Sequence, residues 1–251
     1  MSAEAEQRRV IAILGAGGAL GGAISHQLAA EPRTDLVLSD VSDASLEATV
    51  EGLPGIGASI ETVLADVSDF RAVESAIERT IERFGRLDVV VSNAGVPSPN
   101  GRVHNLTDEA WERAFRVNVM GAVNAIRAAV PTMRAQRSGS IVLTASVAGL
   151  TAWTHASPYC TTKAAVIHLA KVAAVEYASD GIRVNCVCPG TFQSAMHAEL
   201  PRQALDAIAA KHPLGLGAPT DLVGAYSFLA SDASRWTTGS AIVIDGGYSA
   251  P

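Results

Sequence analysis

The chain has 251 residues, 48% apolar and 18% charged, so it can bury a large core and is too apolar for disorder. Nineteen basic against 25 acidic residues give a net charge of −6 without any block of Lys or Arg, which argues against nucleic acid and anionic membrane as partners. Three cysteines (Cys160, Cys186 and Cys188) with no histidine cluster supply neither a zinc site nor a disulfide framework. No metal is expected, and the setting expected is cytoplasmic.

The N-terminal stretch "RRVIAILGAGGALGGAIS" opens on a basic pair followed by small and apolar residues, as a signal peptide would. Five glycines between Gly15 and Gly22 argue against that reading. Residues 9–14 read instead as a first strand, and the glycine-rich turn after it leads into a helix. Such a turn lets backbone N–H groups approach a pyrophosphate, and the helix N-terminus favours its charge. The spacing is not G-x-G-x-x-G, because Leu20 falls where the last glycine should be. The turn runs Gly15, Ala16, Gly17, Gly18, Ala19, Leu20, Gly21; a glycine-rich helix entry packed on a sheet is the plainer alternative.

A second strand, 36–40, ends in Asp40, 25 positions after Gly15, where dinucleotide folds carry a ribose-binding acid. A carboxylate there accepts from the ribose hydroxyls of NAD and repels the 2′-phosphate of NADP. No arginine or lysine in the turn or just after Asp40 reverses that preference, so the cofactor expected is NAD. The nearby Ser42 and Asp43 suit the cap of the following helix better than Asp40 does.

Further strands are predicted at 60–65, 87–92, 140–145, 183–187 and 241–244, with helical patterns between them. Phe70, Val73, Ile77, Ile81 and Phe84 mark one such helix. Alternation of this kind implies a parallel sheet covered on both faces, one domain over 1–251, with the ligand beyond the carboxyl ends of the strands.

In "SPYCTTKAAV" (157–166), Ser157 is expected to cap a helix and Pro158 to be its first residue. Tyr159 then lies in the first turn, near the positive end of the dipole, with Lys163 at i+4 on the same face. A phenol titrates near ~10, and bringing it to ~7 requires ~4 kcal/mol in favour of the phenolate. An exposed i,i+4 pair supplies only ~0.2–0.5 kcal/mol. The pair therefore needs a cleft of lowered dielectric and a second cation, such as the nicotinamide of NAD⁺.

Taken in order, these features resemble the short-chain dehydrogenase/reductase family over nearly the whole chain. Leu14 to Gly21 stand in place of T-G-x-x-x-G-x-G, and "ADVSD" places Asp66 and Val67 at the adenine. "SNAG" contributes Asn93, Ala94 and Gly95; "VNVMGAV" contributes Asn118. Ser146 precedes Tyr159 by 13 residues, and Tyr159 to Lys163 is the family's Y-x-x-x-K. "CPGTFQSAM" resembles P-G-x-x-x-T, with Pro189, Gly190, Phe192 and Ser194 toward the nicotinamide. Leu14 replaces a threonine that ties the glycine turn to the asparagine segment, Ala19 replaces a glycine, and Ser194 keeps a hydroxyl where threonine is usual.

The resemblance implies a single-domain α/β Rossmann fold with a doubly wound, predominantly parallel seven-stranded sheet. It also implies a hydride-transfer oxidoreductase acting on a secondary alcohol or its ketone. Tyr159 would exchange the alcohol proton, Lys163 would lower its pKa and hold the nicotinamide ribose, and Ser146 would hydrogen-bond the substrate oxygen. Asn118 would support a water in the proton relay. The substrate pocket is expected among Val147, Trp153, His155, Thr191 and Met196, whose apolar members suggest a hydrophobic or alicyclic substrate. The small-residue helix after Lys163 suggests a subunit interface, and the family's habit a homotetramer. Two alternatives stand behind this: a reductase of the 3-oxoacyl carrier-protein type, which would normally prefer NADPH, and a non-enzymatic NAD-binding regulator.

Overall fold

The computed structural model describes residues 8–53, 57–194 and 202–250. In chain order the elements are β1 (Arg9–Leu14), α1 (Ala19–Ala29), β2 (Thr34–Asp40), α2 (Asp43–Glu51), β3 (Ile60–Leu64), α3 (Phe70–Phe84) and β4 (Val89–Ser92). There follow α4 (Asp108–Ala114), α5 (Gly121–Gln136), β5 (Gly139–Thr144), α6 (Ser157–Tyr177), β6 (Ile182–Pro189), α7 (Arg202–Ala209), α8 (Pro219–Ala230) and β7 (Ala241–Ile244). Among the described residues no helix is long and apolar enough to cross a membrane.

The seven strands form one parallel sheet in the order β3-β2-β1-β4-β5-β6-β7. The chain winds outward from β1 in one direction and then, from β4, in the other. The crevice between β1 and β4 is therefore the switch point at which such sheets bind ligands. The register pairs Leu14 with both Ser39 and Ser92, and Ser92 with Leu143, so the carboxyl ends of the inner strands open at one level.

Period-two alternation along the strands feeds two cores. Ile11, Ile13, Leu36, Leu38, Val89 and Val91 face α1 and α8. Ala12, Leu14, Val37, Val90, Ile141 and Leu143 face α3, α5 and α6. Cys186 and Cys188, two apart on β6, both fall in this second core, as their spacing predicts.

Local chemistry sets the helix ends. Ser42 caps α2 by accepting from the Ser45 amide, and Asp69 caps α3, which stops at Gly85 with φ +76°. The α6 cap differs from expectation by one residue: Ala156 occupies it without a side-chain bond, so Ser157 is the first helical residue and Pro158 the second. Proline costs nothing there, because that N–H has no intrahelical partner in any case. Between α4 and α5 the helix widens into a π-helical stretch over Phe115–Met120, which carries Asn118.

Candidate active site

The glycine turn is packed too tightly to accept side chains at three positions. A Cβ on Gly15, whose φ is +88°, would lie 2.4 Å from the Ala94 amide nitrogen, and one on Gly21 only 2.1 Å from the Gly15 carbonyl oxygen. At Gly17 it would meet Ser45 at 2.6 Å. Gly18, by contrast, faces open space and caps α1 with no side-chain bond. The first amides of α1 are thus uncapped at the open end of the sheet, which is the donor chemistry an anion requires. Exposed Gly18 and Ala19 border that opening, while Leu20 turns into the core.

Asp40 ends β2 beside this turn. Its Oδ2 accepts from the Gly17 amide at 2.9 Å and its Oδ1 from the Ser42 amide at 3.2 Å. An ionised carboxylate offers about four acceptor positions, so both oxygens retain capacity for a diol. At the end of β3, Val67 is buried with its carbonyl held by Asn124, while Asp66 is exposed and its Oδ1 accepts from the Ser68 amide.

From the end of β4, Asn93 donates through Nδ2 to the Gly15 carbonyl at 2.8 Å, and the Asn93 and Ala94 amides both donate to the Leu14 carbonyl. The turn and the asparagine segment are therefore tied without a hydroxyl at position 14. Gly95 sits close against Asn118 Oδ1 and Lys163 Nζ, since a Cβ there would lie only 3.3 Å from each. Asn118 is buried and its amide is largely spent: Oδ1 accepts from the Val96 amide at 2.8 Å, and Nδ2 donates to the Val96 carbonyl and to Thr162 Oγ1, each at 3.0 Å. It clamps the loop after β4 to α6. Only the second lone pair of Oδ1 and the backbone are left for the water expected there.

Ser146, Tyr159 and Lys163 meet beyond the end of β5. Ser146 Oγ accepts from the Ala148 amide at 3.1 Å, which leaves its own proton available to an oxygen in the cleft. Lys163, 3% exposed, donates to the Thr144 carbonyl at 2.9 Å, with Nζ 5.7 Å from the Tyr159 ring centre. Burial lowers the Lys163 pKa to about 8, and the neighbouring Cys188 thiol opposes the shift. The expected depression of Tyr159 is not built into the protein alone. Burial pushes the phenol above its ordinary value, hydrogen bonding with Ser146 pulls it partly back, and Cys160 adds a small rise. Lys163 is bound to a backbone carbonyl and itself poorly solvated, so its charge does not overcome the phenol's own burial.

The expected pocket is only partly assembled from the residues foreseen. Trp153 stacks on Tyr159 with ring centres 6.2 Å apart and meets Tyr248 edge-on at 6.1 Å. His212 lies 4.8 Å from Tyr248 and accepts the Thr191 amide on Nε2, so it orders the segment after β6 rather than standing free. Val147 is 0% exposed and has no surface on the cleft, a correction to its expected place in the wall. The cause is the tight turn after Ser146, which folds it beneath α6. His155 is exposed with φ +67°, and its carbonyl pairs with Gly101. Pro189 and Gly190 end β6 against Ile244 and Asp245; Phe192 packs toward the α8 core, and Ser194 is half-buried. Met196 lies outside the described residues.

Tyr248, Thr162 and Thr144 were not singled out from sequence. Thr162, between Tyr159 and Lys163, bonds the Tyr159 carbonyl and Asn118, a role its position in Y-x-x-x-K could have suggested.

A family model described as enoyl-(acyl carrier protein) reductase matches residues 15–249. The chain is 36% identical to cis-4-hydroxycyclohexanecarboxylate dehydrogenase of Sinomonas cyclohexanicum, over 98% of this chain and 99% of that one. It is 34% identical to the 3-oxoacyl-[acyl-carrier-protein] reductase FabG of Thermotoga maritima, over 95% and 97% respectively. The crystal structure of levodione reductase superposes with a TM-score of 0.93 at 33% identity, covering 97% of this chain and 98% of that one.

Proposed function

Because the chain belongs to the short-chain dehydrogenase/reductase family, oxidoreductases that use a nicotinamide cofactor on alcohols and ketones, we propose that it is an NAD-dependent dehydrogenase of alicyclic secondary alcohols. The observation that carries the NAD preference is Asp40. Its carboxylate ends β2 against the glycine turn, and the three residues after it (Val41, Ser42 and Asp43) bring no cation. A 2′-phosphate placed there would meet an anion in a cleft of lowered dielectric. The aromatic wall of Trp153 and Tyr248 supports an apolar ring as substrate, and one relative is named for a hydroxyl on a cyclohexane ring.

The residues present fit a dinucleotide. The close backbone packing that glycine permits at Gly15, Gly17 and Gly21, with the uncapped start of α1, suits a pyrophosphate, and Asp40 a ribose diol. Asn93, Ala94 and Gly95 line the same crevice. Pro189, Gly190, Phe192 and Ser194 would flank the nicotinamide, which when bound exchanges the hydride. Ser146, which also hydrogen-bonds Tyr159, donates to the substrate oxygen as charge develops there. Tyr159 accepts the hydroxyl proton in oxidation and returns it in reduction, and Lys163 holds the phenolate by charge. With burial raising the phenol pKa, the base becomes effective only once a cation shares the cleft.

The deciding experiment compares kcat/KM for NAD⁺ and NADP⁺ over a panel of cyclic secondary alcohols. NAD⁺ should be favoured at least tenfold, or about 1.4 kcal/mol, and Tyr159→Phe should abolish turnover. Equal use of NADP⁺ would refute the reading of Asp40. The FabG relative favours a second reading, reduction of a 3-oxoacyl thioester, so the panel includes one in the reductive direction.

We further propose a cytoplasmic homotetramer. Val172 and Val175 stand exposed on the outer face of α6, and all three cysteines are free. A monomer mass in light scattering at micromolar concentration would contradict the assembly.

A further inference from the structure

Tyr226 of α8 is 0% exposed and belongs to no motif of cofactor or substrate recognition, yet its hydroxyl is not idle. It lies 2.9 Å from Thr144 Oγ1, which lies 3.2 Å from Asn93 Oδ1; Asn93 Nδ2 in turn donates to the Gly15 carbonyl at 2.8 Å. The direction of this chain is determined. A carbonyl only accepts, so Nδ2 must face Gly15 and Oδ1 must face Thr144. Oδ1 also only accepts, so the Thr144 proton is committed to Asn93. Tyr226 must therefore be the donor to Thr144. Burial raises the phenol's pKa and keeps that proton in place.

Each bond in such a series polarises the next in the same sense. The series ends on the peptide of Gly15, the residue whose positive φ shapes the glycine turn. Thr144 also gives its backbone carbonyl to Lys163 at 2.9 Å. One residue thus joins the proton-transfer lysine, by its main chain, to the cofactor turn, by its side chain. We infer that Tyr226 is a positioning residue for dinucleotide binding, acting through Thr144 and Asn93 on the conformation of the Gly15 turn. This rests on the turn being the dinucleotide site proposed above.

The competing account is that Tyr226 merely fills the core between α8 and the sheet. Tyr226→Phe keeps the ring and removes only the donor. Calorimetric titration of the enzyme with NAD⁺, without substrate, should show Kd raised about three- to tenfold, the range for one net hydrogen bond. Thr144→Val should do the same, and the double variant should be no worse than the weaker single. Thr144→Ser, which retains the hydroxyl, should bind as wild type does. Leu229→Val trims another fully buried side chain of α8 and serves as the packing control: Tm should fall while Kd stays. An unchanged Kd in folded Tyr226→Phe, or an equal rise in Leu229→Val, overturns the inference and leaves the function intact. Should Tyr226→Phe fail to fold, the Thr144 pair decides: equal Kd values for Val and Ser overturn it. Wild-type protein that binds neither NAD⁺ nor NADP⁺ overturns this inference and the cofactor site together.

Discussion

A methyl group at Gly95 would reach within 3.3 Å of both Asn118 Oδ1 and Lys163 Nζ. Asn118 is held by three hydrogen bonds, whereas Lys163 Nζ is held to the Thr144 carbonyl at the end of a long, many-jointed side chain, so Lys163 would yield. Gly95→Ala should then displace the charge that steadies the Tyr159 phenolate. We expect kcat to fall about tenfold, or about 1.4 kcal/mol, with Tm nearly unchanged in a melting assay; wild-type kcat would show that the gap has no role. At this scale the sequence singled out Ser146, Tyr159 and Lys163, which the fold brings together, but not their hydrogen-bonding state. That Asn118 is a clamp, and that Tyr159 is pushed up rather than down, depends on burial and on neighbours distant in the chain.

At the scale of elements, the glycine turn sorts its residues by what surrounds them. Gly18 has extended backbone (φ −82°) and nothing within 4 Å, whereas a Cβ on Gly21 would collide with the Gly15 carbonyl at 2.1 Å. Gly18→Ala should leave dinucleotide Kd within about twofold and stability within ~0.5 kcal/mol, as for an ordinary surface change. Gly21→Ala should raise Kd more than tenfold or prevent folding, because backbone must move. Equal behaviour of the two in binding and melting assays would remove the steric argument. Turn, strand ends and the α3 stripe were legible because they obey local rules of spacing. The α6 cap slipped by one residue, since serine next to proline satisfies a capping preference that Ala156 meets by backbone geometry alone. The π-helical stretch left no sequence signal; the segment around Asn118 has ordinary helical composition.

For the molecule as a whole, alternation of strands and helices predicted one parallel, doubly wound sheet, and the structure has seven strands in that arrangement. The opening at their carboxyl ends followed from topology. The ties across it did not. Val147 and Trp153 lie six positions apart within one loop, yet only Trp153 reaches the aromatic wall. Tyr226 reads in sequence as one more large residue in an apolar helix; its use emerges only when α8 is laid against the end of β5.

The bonds that run from Tyr226 to Gly15 join residues 82, 51 and 78 positions apart. None can form within a local fragment, and each closes a long loop whose entropy must be met before the contact returns anything. Early partly folded forms can therefore hold helices and single strand pairs without any competent cofactor turn. Refolding should be slow for the chain's size, and recovery of dinucleotide affinity should coincide with the last tertiary signal.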